Sequence, residues 1–151
     1  MTTLKEQLQE DLTAAIKTRD ELRSSTIRLT LAAVTAQEVA GTTKRELSDA
    51  EVLNVIAKEA KKRREAAEAF EGAGRAESAA QERAEGEVLA GYLPKQLSDE
   101  ELTGIVAAAV AESGATGPQA MGAVMKLVKP KVEGLADGGR VAAAVKAALA
   151  G

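Results

Sequence analysis

The stretch from Lys126 to Lys146 holds Lys126, Lys129, Lys131, Arg140 and Lys146 against only Glu133 and Asp137, and is the most basic local region of the chain. Clustered cations of this kind neutralise phosphate, so the chemistry open to them is contact with a nucleic-acid backbone. Lys126 and Lys129 are three residues apart and share one outward side of a helix whose core stripe is Met121, Val124, Met125 and Val128. The same charges also read as solubilising groups on a small unit. Gly134-Leu135-Ala136-Asp137-Gly138-Gly139 is too short and wrongly spaced for a Walker-type phosphate loop. Its glycines shape a turn, and the helix N-terminus there offers N–H groups to a phosphate in competition with the Asp137 carboxylate.

Lys61-Lys62-Arg63-Arg64 forms a second basic run, but at about 100° per residue its side chains spread around a helix. Arg63 shares the side of Leu53, Ile56, Ala60 and Ala67, and Glu59 precedes it by four residues, which predicts a snorkelling arginine paired with Glu59. Lys58, Lys61 and Lys62 share the opposite side, diluted by Glu65 and Glu68. Catalytic constellations are scarce. With no Cys and no His, the chain lacks a thiol nucleophile, an imidazole base and the usual zinc ligands. Glu100-Glu101 and the Glu85/Glu87 pair occupy polar helix positions that solvation explains, and Ser24-Ser25 has no glycine-rich nucleophile turn around it. No catalytic residue, metal site or cofactor is expected. Tyr92 and Phe70 are the only aromatics, so base stacking cannot supply much affinity, and an RNA partner would be a folded one met through shape and backbone.

The elements that must carry these residues are helices. Thr3-Leu4-Lys5-Glu6 reads as a capping box, followed by Leu4, Leu8, Leu12 and Ile16 at four-residue spacing, a helix running to about Thr18. A second helix ends near Gly41; Ile27, Leu31 and Val34 share one side of it and Leu22, Leu29, Ala33 and Ala36 the other, the pattern of a helix packed on two faces. Ser48-Asp49-Ala50-Glu51 caps a long helix that Gly72 closes, and a fourth runs from about Ala76 to Ala90. Ser98-Asp99-Glu100-Glu101 caps a fifth that stops at Gly114. Pro118 opens a sixth, which Pro130 is expected to end, and Asp137 caps the last. The predicted fold is all-α, a bundle of about four helices in residues 1–96 followed by a three-helix unit in 97–151, with Tyr92-Leu93-Pro94-Lys95-Gln96-Leu97 as a partly packed hinge.

Apolar types make up 45% of the 151 residues, so with aromatics nearly absent Ala, Val, Leu, Ile and Met must fill the interior, which favours close helix packing over a sheet. The formal net charge of -3 argues against coating nucleic acid by bulk charge, so any RNA contact must be local. Met1-Thr2-Thr3-Leu4-Lys5-Glu6 lacks a basic region followed by an apolar core, and no run approaches the roughly 18 apolar residues of a membrane span. The expectation is a soluble, cytoplasmic protein without a membrane partner.

In order and spacing, five segments resemble the YqeY-like (GatB/YqeY) family: Val55-Ile56-Ala57-Lys58-Glu59-Ala60-Lys61-Lys62-Arg63-Arg64, Ala73-Gly74-Arg75, Tyr92-Leu93-Pro94-Lys95-Gln96-Leu97, Met121-Gly122-Ala123-Val124-Met125-Lys126, and Lys131-Val132-Glu133-Gly134-Leu135-Ala136-Asp137-Gly138. The family is similar to the tail domain of the B subunit of the tRNA-dependent aspartyl/glutamyl amidotransferase, where that domain helps hold tRNA. The resemblance implies a helical unit followed by a three-helix unit, and a tRNA-binding accessory role for Lys126, Lys129, Lys131, Arg140 and Lys95. It also carries a label of carbon-nitrogen ligase with glutamine as amido-N-donor, an activity this chain could at most assist, with amidotransferase subunits as partners. Glu133 and Leu135 stand where basic residues are expected in relatives, leaving a thinner positive surface. A protein-interaction module, docking another protein through apolar helix faces or the hinge around Tyr92, is the competing reading.

Overall fold

A computed structural model describes residues 2–114 and 116–150. Among these residues the helices are α1 Leu4–Lys17, α2 Glu21–Glu38, α3 Asp49–Gly72, α4 Ala76–Ala90, α5 Asp99–Ser113, α6 Met121–Val132 and α7 Gly138–Ala150, and there is no strand. A 3-10 turn, Pro118–Ala120, leads into α6. The chain divides into two compact units, Met1–Leu93 and Pro94–Gly151.

Local chemistry sets most helix ends. Ser48 and Ser98 each accept a hydrogen bond from the N–H three residues on, while Glu51 and Glu101 reach back to the serine N–H, closing two capping boxes. At α1 the box is half made. Thr3 accepts from the Glu6 N–H, but the Glu6 carboxylate takes the Thr3 hydroxyl instead of its N–H. Gly114, at φ 64°, closes α5 in the left-handed conformation that glycine alone adopts without cost. α2 ends at Glu38, three residues before Gly41, because the Glu38 carbonyl turns to accept the Arg45 N–H and begins the loop.

The first unit encloses Leu8, Ile27, Val34, Val52, Val55, Ile56 and Leu89. Leu8 of α1 is buried, but Ile16 is 52% exposed and Ala15 takes the inner place, because a four-residue interval drifts about 40° per turn. α2 packs against α1, α3 and α4 with its Ile27, Thr30 and Val34 side. The expected second packed face is only half made: Leu22 and Ala33 are half-buried, Ala33 against the core, while Leu29 is 54% exposed and Ala36 is exposed. On the buried side the Thr26 and Thr30 hydroxyls donate to the Leu22 and Thr26 carbonyls at 2.7 and 2.8 Å, so the helix satisfies its own buried polar groups. α3 and α4 approach closely where Gly86 faces Arg63; a Cβ on Gly86 would lie 3.8 Å from the Arg63 Cβ.

The second unit packs Leu102, Val106 and Ala109 of α5 with Val124, Val128 and Val132 of α6 and Val141 and Val145 of α7. Contrary to the expectation from sequence, Pro130 does not end α6, which continues to Val132. Proline removes only its own N–H, so later amides still bond back, as Glu133 N does to Lys129 O at 3.0 Å, and burial of Val132 holds the final turn. No helix among the described residues is long and apolar enough to cross a membrane.

Candidate functional site

The five cations expected to meet RNA lie in the second unit in different local settings. Lys126 and Lys129 project from α6 about 60° apart, both exposed, and neither side chain has an ion pair or hydrogen bond among the described residues. Lys131 leaves the same helix about 160° away from Lys129 and reaches the Glu112 carboxylate of α5 at 3.8 Å. Both partners are at least half exposed, so the pair is loose. Lys131 also forms one wall of a shallow depression with Leu97, Glu100, Gly104, Ile105 and Ala108, beside carboxylates rather than beside Lys126.

Arg140 is committed internally. One guanidinium nitrogen donates to the Leu97 carbonyl and to the Asp99 carboxylate, each at 2.9 Å, tying α7 to the segment that enters α5. The Leu97 N–H donates in turn to the Leu135 carbonyl at 2.8 Å, and the Gln96 amide donates to the Gly134 carbonyl at 3.1 Å. Lys95 is exposed, and its charge adds to the Ser98 hydrogen bonds that hold the Glu101 carboxyl below the ordinary carboxylate range. At the start of α7, Asp137 accepts the Gly139 N–H at 3.1 Å, so its own carboxylate occupies a donor that a phosphate would otherwise use. Gly134, at φ 78°, makes the preceding turn.

The first unit binds its charges to itself. Arg63 is a paired, half-buried arginine as expected, but its partners are Glu85 at 3.3 Å and Glu82 at 3.9 Å on α4; Glu59 instead takes Lys62 at 3.3 Å. Glu38 is buried, accepts from the Lys5 ammonium at 2.9 and 3.1 Å, and is held below the ordinary carboxylate range by that bond against the opposing effect of burial. The Tyr92 hydroxyl donates to the Asp11 carboxylate; burial first, then this contact, pushes the phenol pKa upward. Arg23 stands 3.9 Å from the same carboxylate. Sequence spacing gave no signal for Asp99, Glu112, Glu82 or Glu85 as partners, since each lies on a different helix from its cation.

A protein-family model described as Yqey-like protein matches residues 5–149. The chain belongs to the YqeY-like family. No curated protein matches it. For a YqeY-like chain, Met121-Gly122 and Gly134 fall at the start and just beyond the end of α6, the helix carrying the two unpaired lysines.

Proposed function

We infer that this YqeY-like chain is a cytoplasmic tRNA-binding accessory module without a reactive centre of its own. It meets the backbone of folded RNA through Lys126 and Lys129, with Lys95 as a further contact. The observation that carries this reading is the exposed, unpaired Lys126–Lys129 pair on one side of α6. The second unit has as many acidic as basic residues, so binding rests on local arrangement and is weak and salt-sensitive. Lys131 contributes less because it first leaves Glu112, and Arg140 acts by holding the unit together. Family likeness supports reading the module as a helper of the tRNA-dependent amidotransferase in glutamine-dependent carbon-nitrogen ligation.

The test is a mobility-shift titration with tRNA at several salt concentrations. Lys126→Ala/Lys129→Ala should weaken binding and flatten the slope of log K against log salt by about 2. An unchanged slope moves the contact elsewhere, and absence of any shift at low salt removes the RNA reading in favour of a protein partner. Glutamine hydrolysis by the purified chain alone should be absent; measured turnover would refute the accessory role.

A further inference from the structure

Glycine inside a helix costs stability relative to alanine, so each such position calls for a local reason. Gly86, Gly104 and Gly122 lie within α4, α5 and α6. At Gly86 an added Cβ would meet the Arg63 Cβ at 3.8 Å, in the close passage of α3 and α4. At Gly104 and Gly122 it would meet nothing within 4 Å, and neither residue is among the glycines at positive φ. Both are exposed, so neither backbone conformation nor internal packing uses the missing side chain.

The surroundings separate these two positions. Gly104 sits in the shallow depression with Glu100 and Glu101, which stand one turn before it on α5. Gly122 precedes Lys126 by four residues and Lys129 by seven. The three therefore lie within about 60° of one another, a strip roughly 10 Å long down one side of α6. Ala123 and Pro130 beside it are exposed, short and uncharged. α6 carries no Asp or Glu, and Glu133 stands beyond its end. The bare backbone at Gly122 thus opens onto the two unpaired ammonium groups with no carboxylate on the same helix.

Resting on the reading of Lys126 and Lys129 as phosphate contacts, we propose that Gly122 completes that contact as a point of close backbone approach. The ribose–phosphate strand runs along α6, seated against the bare helix at Gly122, with its phosphates at Lys126 and Lys129. A Cβ would hold the strand off the helix by the width of a methyl group; its absence lets the strand settle where both ammonium groups reach it. Lysines alone grip phosphate as flexible point charges, so a fixed floor between them supplies the positional definition that charge lacks. The ligand that fits is a slender polyanion, one sugar–phosphate strand, and not the broad face of an acidic protein.

Gly122→Ala and Gly122→Gln leave both lysines and the net charge untouched and favour the helix. In the tRNA mobility-shift titration, Gly122→Ala should weaken binding roughly fivefold and Gly122→Gln by more. Both chains should keep the wild-type circular dichroism spectrum and unfold at the same or a higher urea concentration. Gly104→Gln makes the same change of helix propensity beside Glu100 and Glu101, and should bind tRNA as the wild type does. If Gly122→Gln binds as tightly as the wild type while Lys126→Ala/Lys129→Ala binds less well, the close approach is overturned and the lysine contact stands. Equal weakening by Gly104→Gln and Gly122→Gln would show that the effect is not local to the strip, and also overturns it. Absence of any wild-type shift at low salt removes the close approach and the lysine contact together.

Discussion

Arg140 shows how one side chain can be claimed by structure and lost to recognition. Its bond to the Leu97 carbonyl fixes a backbone group near the entry to α5, while its pairing with Asp99 involves a carboxylate that is 96% exposed. A hydrogen bond from a charged donor to a partly buried carbonyl is worth about 1–2 kcal/mol, and a pairing with so exposed a carboxylate well under 1 kcal/mol. Arg140→Ala should therefore cost about 1–2 kcal/mol in urea unfolding, and Asp99→Asn about 0.5 kcal/mol or less. If the two costs are equal, the ion pair and not the carbonyl bond holds the turn. Glu51 gives a pH signature at the same scale. The Arg45 guanidinium, at 2.6 Å, and then the Ser48 N–H pull its pKa down to about 2. A carboxyl whose folded pKa lies below its unfolded value adds stability that is complete above the unfolded carboxylate range and is lost as pH falls through the folded value. The thermal midpoint of the wild type should drop between about pH 5 and 2; Glu51→Gln should start lower at neutral pH and fall less steeply, as followed by circular dichroism.

At the scale of elements, α6 joins three local rules that act in different directions. Pro130 removes one backbone bond near the C-terminal end, Lys129 and Lys131 favour that end through the helix dipole, and Gly134 turns the chain at φ 78° just beyond it. Gly122 lies inside the helix with open space around its would-be Cβ. Gly134→Ala should thus destabilise by about 1 kcal/mol, and Gly122→Ala should stabilise by up to about 1 kcal/mol. Chemical denaturation checks both signs. A Gly122→Ala chain that is more stable yet binds RNA less well would mark that glycine as a point of close approach on α6.

For the whole molecule, the important fact is that each unit owns its core. Leu8 and Ile56 are buried in one cluster, Val128 and Val145 in another. Removing buried methyl groups costs the transfer energy plus the cavity left behind, about 2–4 kcal/mol for Leu8→Ala and about 2 kcal/mol for Val128→Ala. Native-state hydrogen exchange should show protection lost in α1–α4 for Leu8→Ala and in α5–α7 for Val128→Ala. Loss spread over α1–α7 by either change would mean that the chain unfolds as one cooperative body.

The sequence by itself determined the helices and most of their ends, because the forces that set them act within about four residues: Ser48 with Glu51, Ser98 with Glu101, the left-handed Gly114, and the apolar intervals of α5 and α6. It could not see past a helix to its neighbour. Glu59 looked like the partner of Arg63 because it is one turn away, yet packing brings Glu82 and Glu85 of α4 to that side chain. Tertiary structure alone decided that Lys126 and Lys129 remain unpaired while Lys131 and Arg140 turn toward α5, and that Leu29 and Ala36 of α2 stay exposed while Ala33 packs on the core. Ion pairing and burial depend on which helices come together in space, and spacing along one helix carries no record of that.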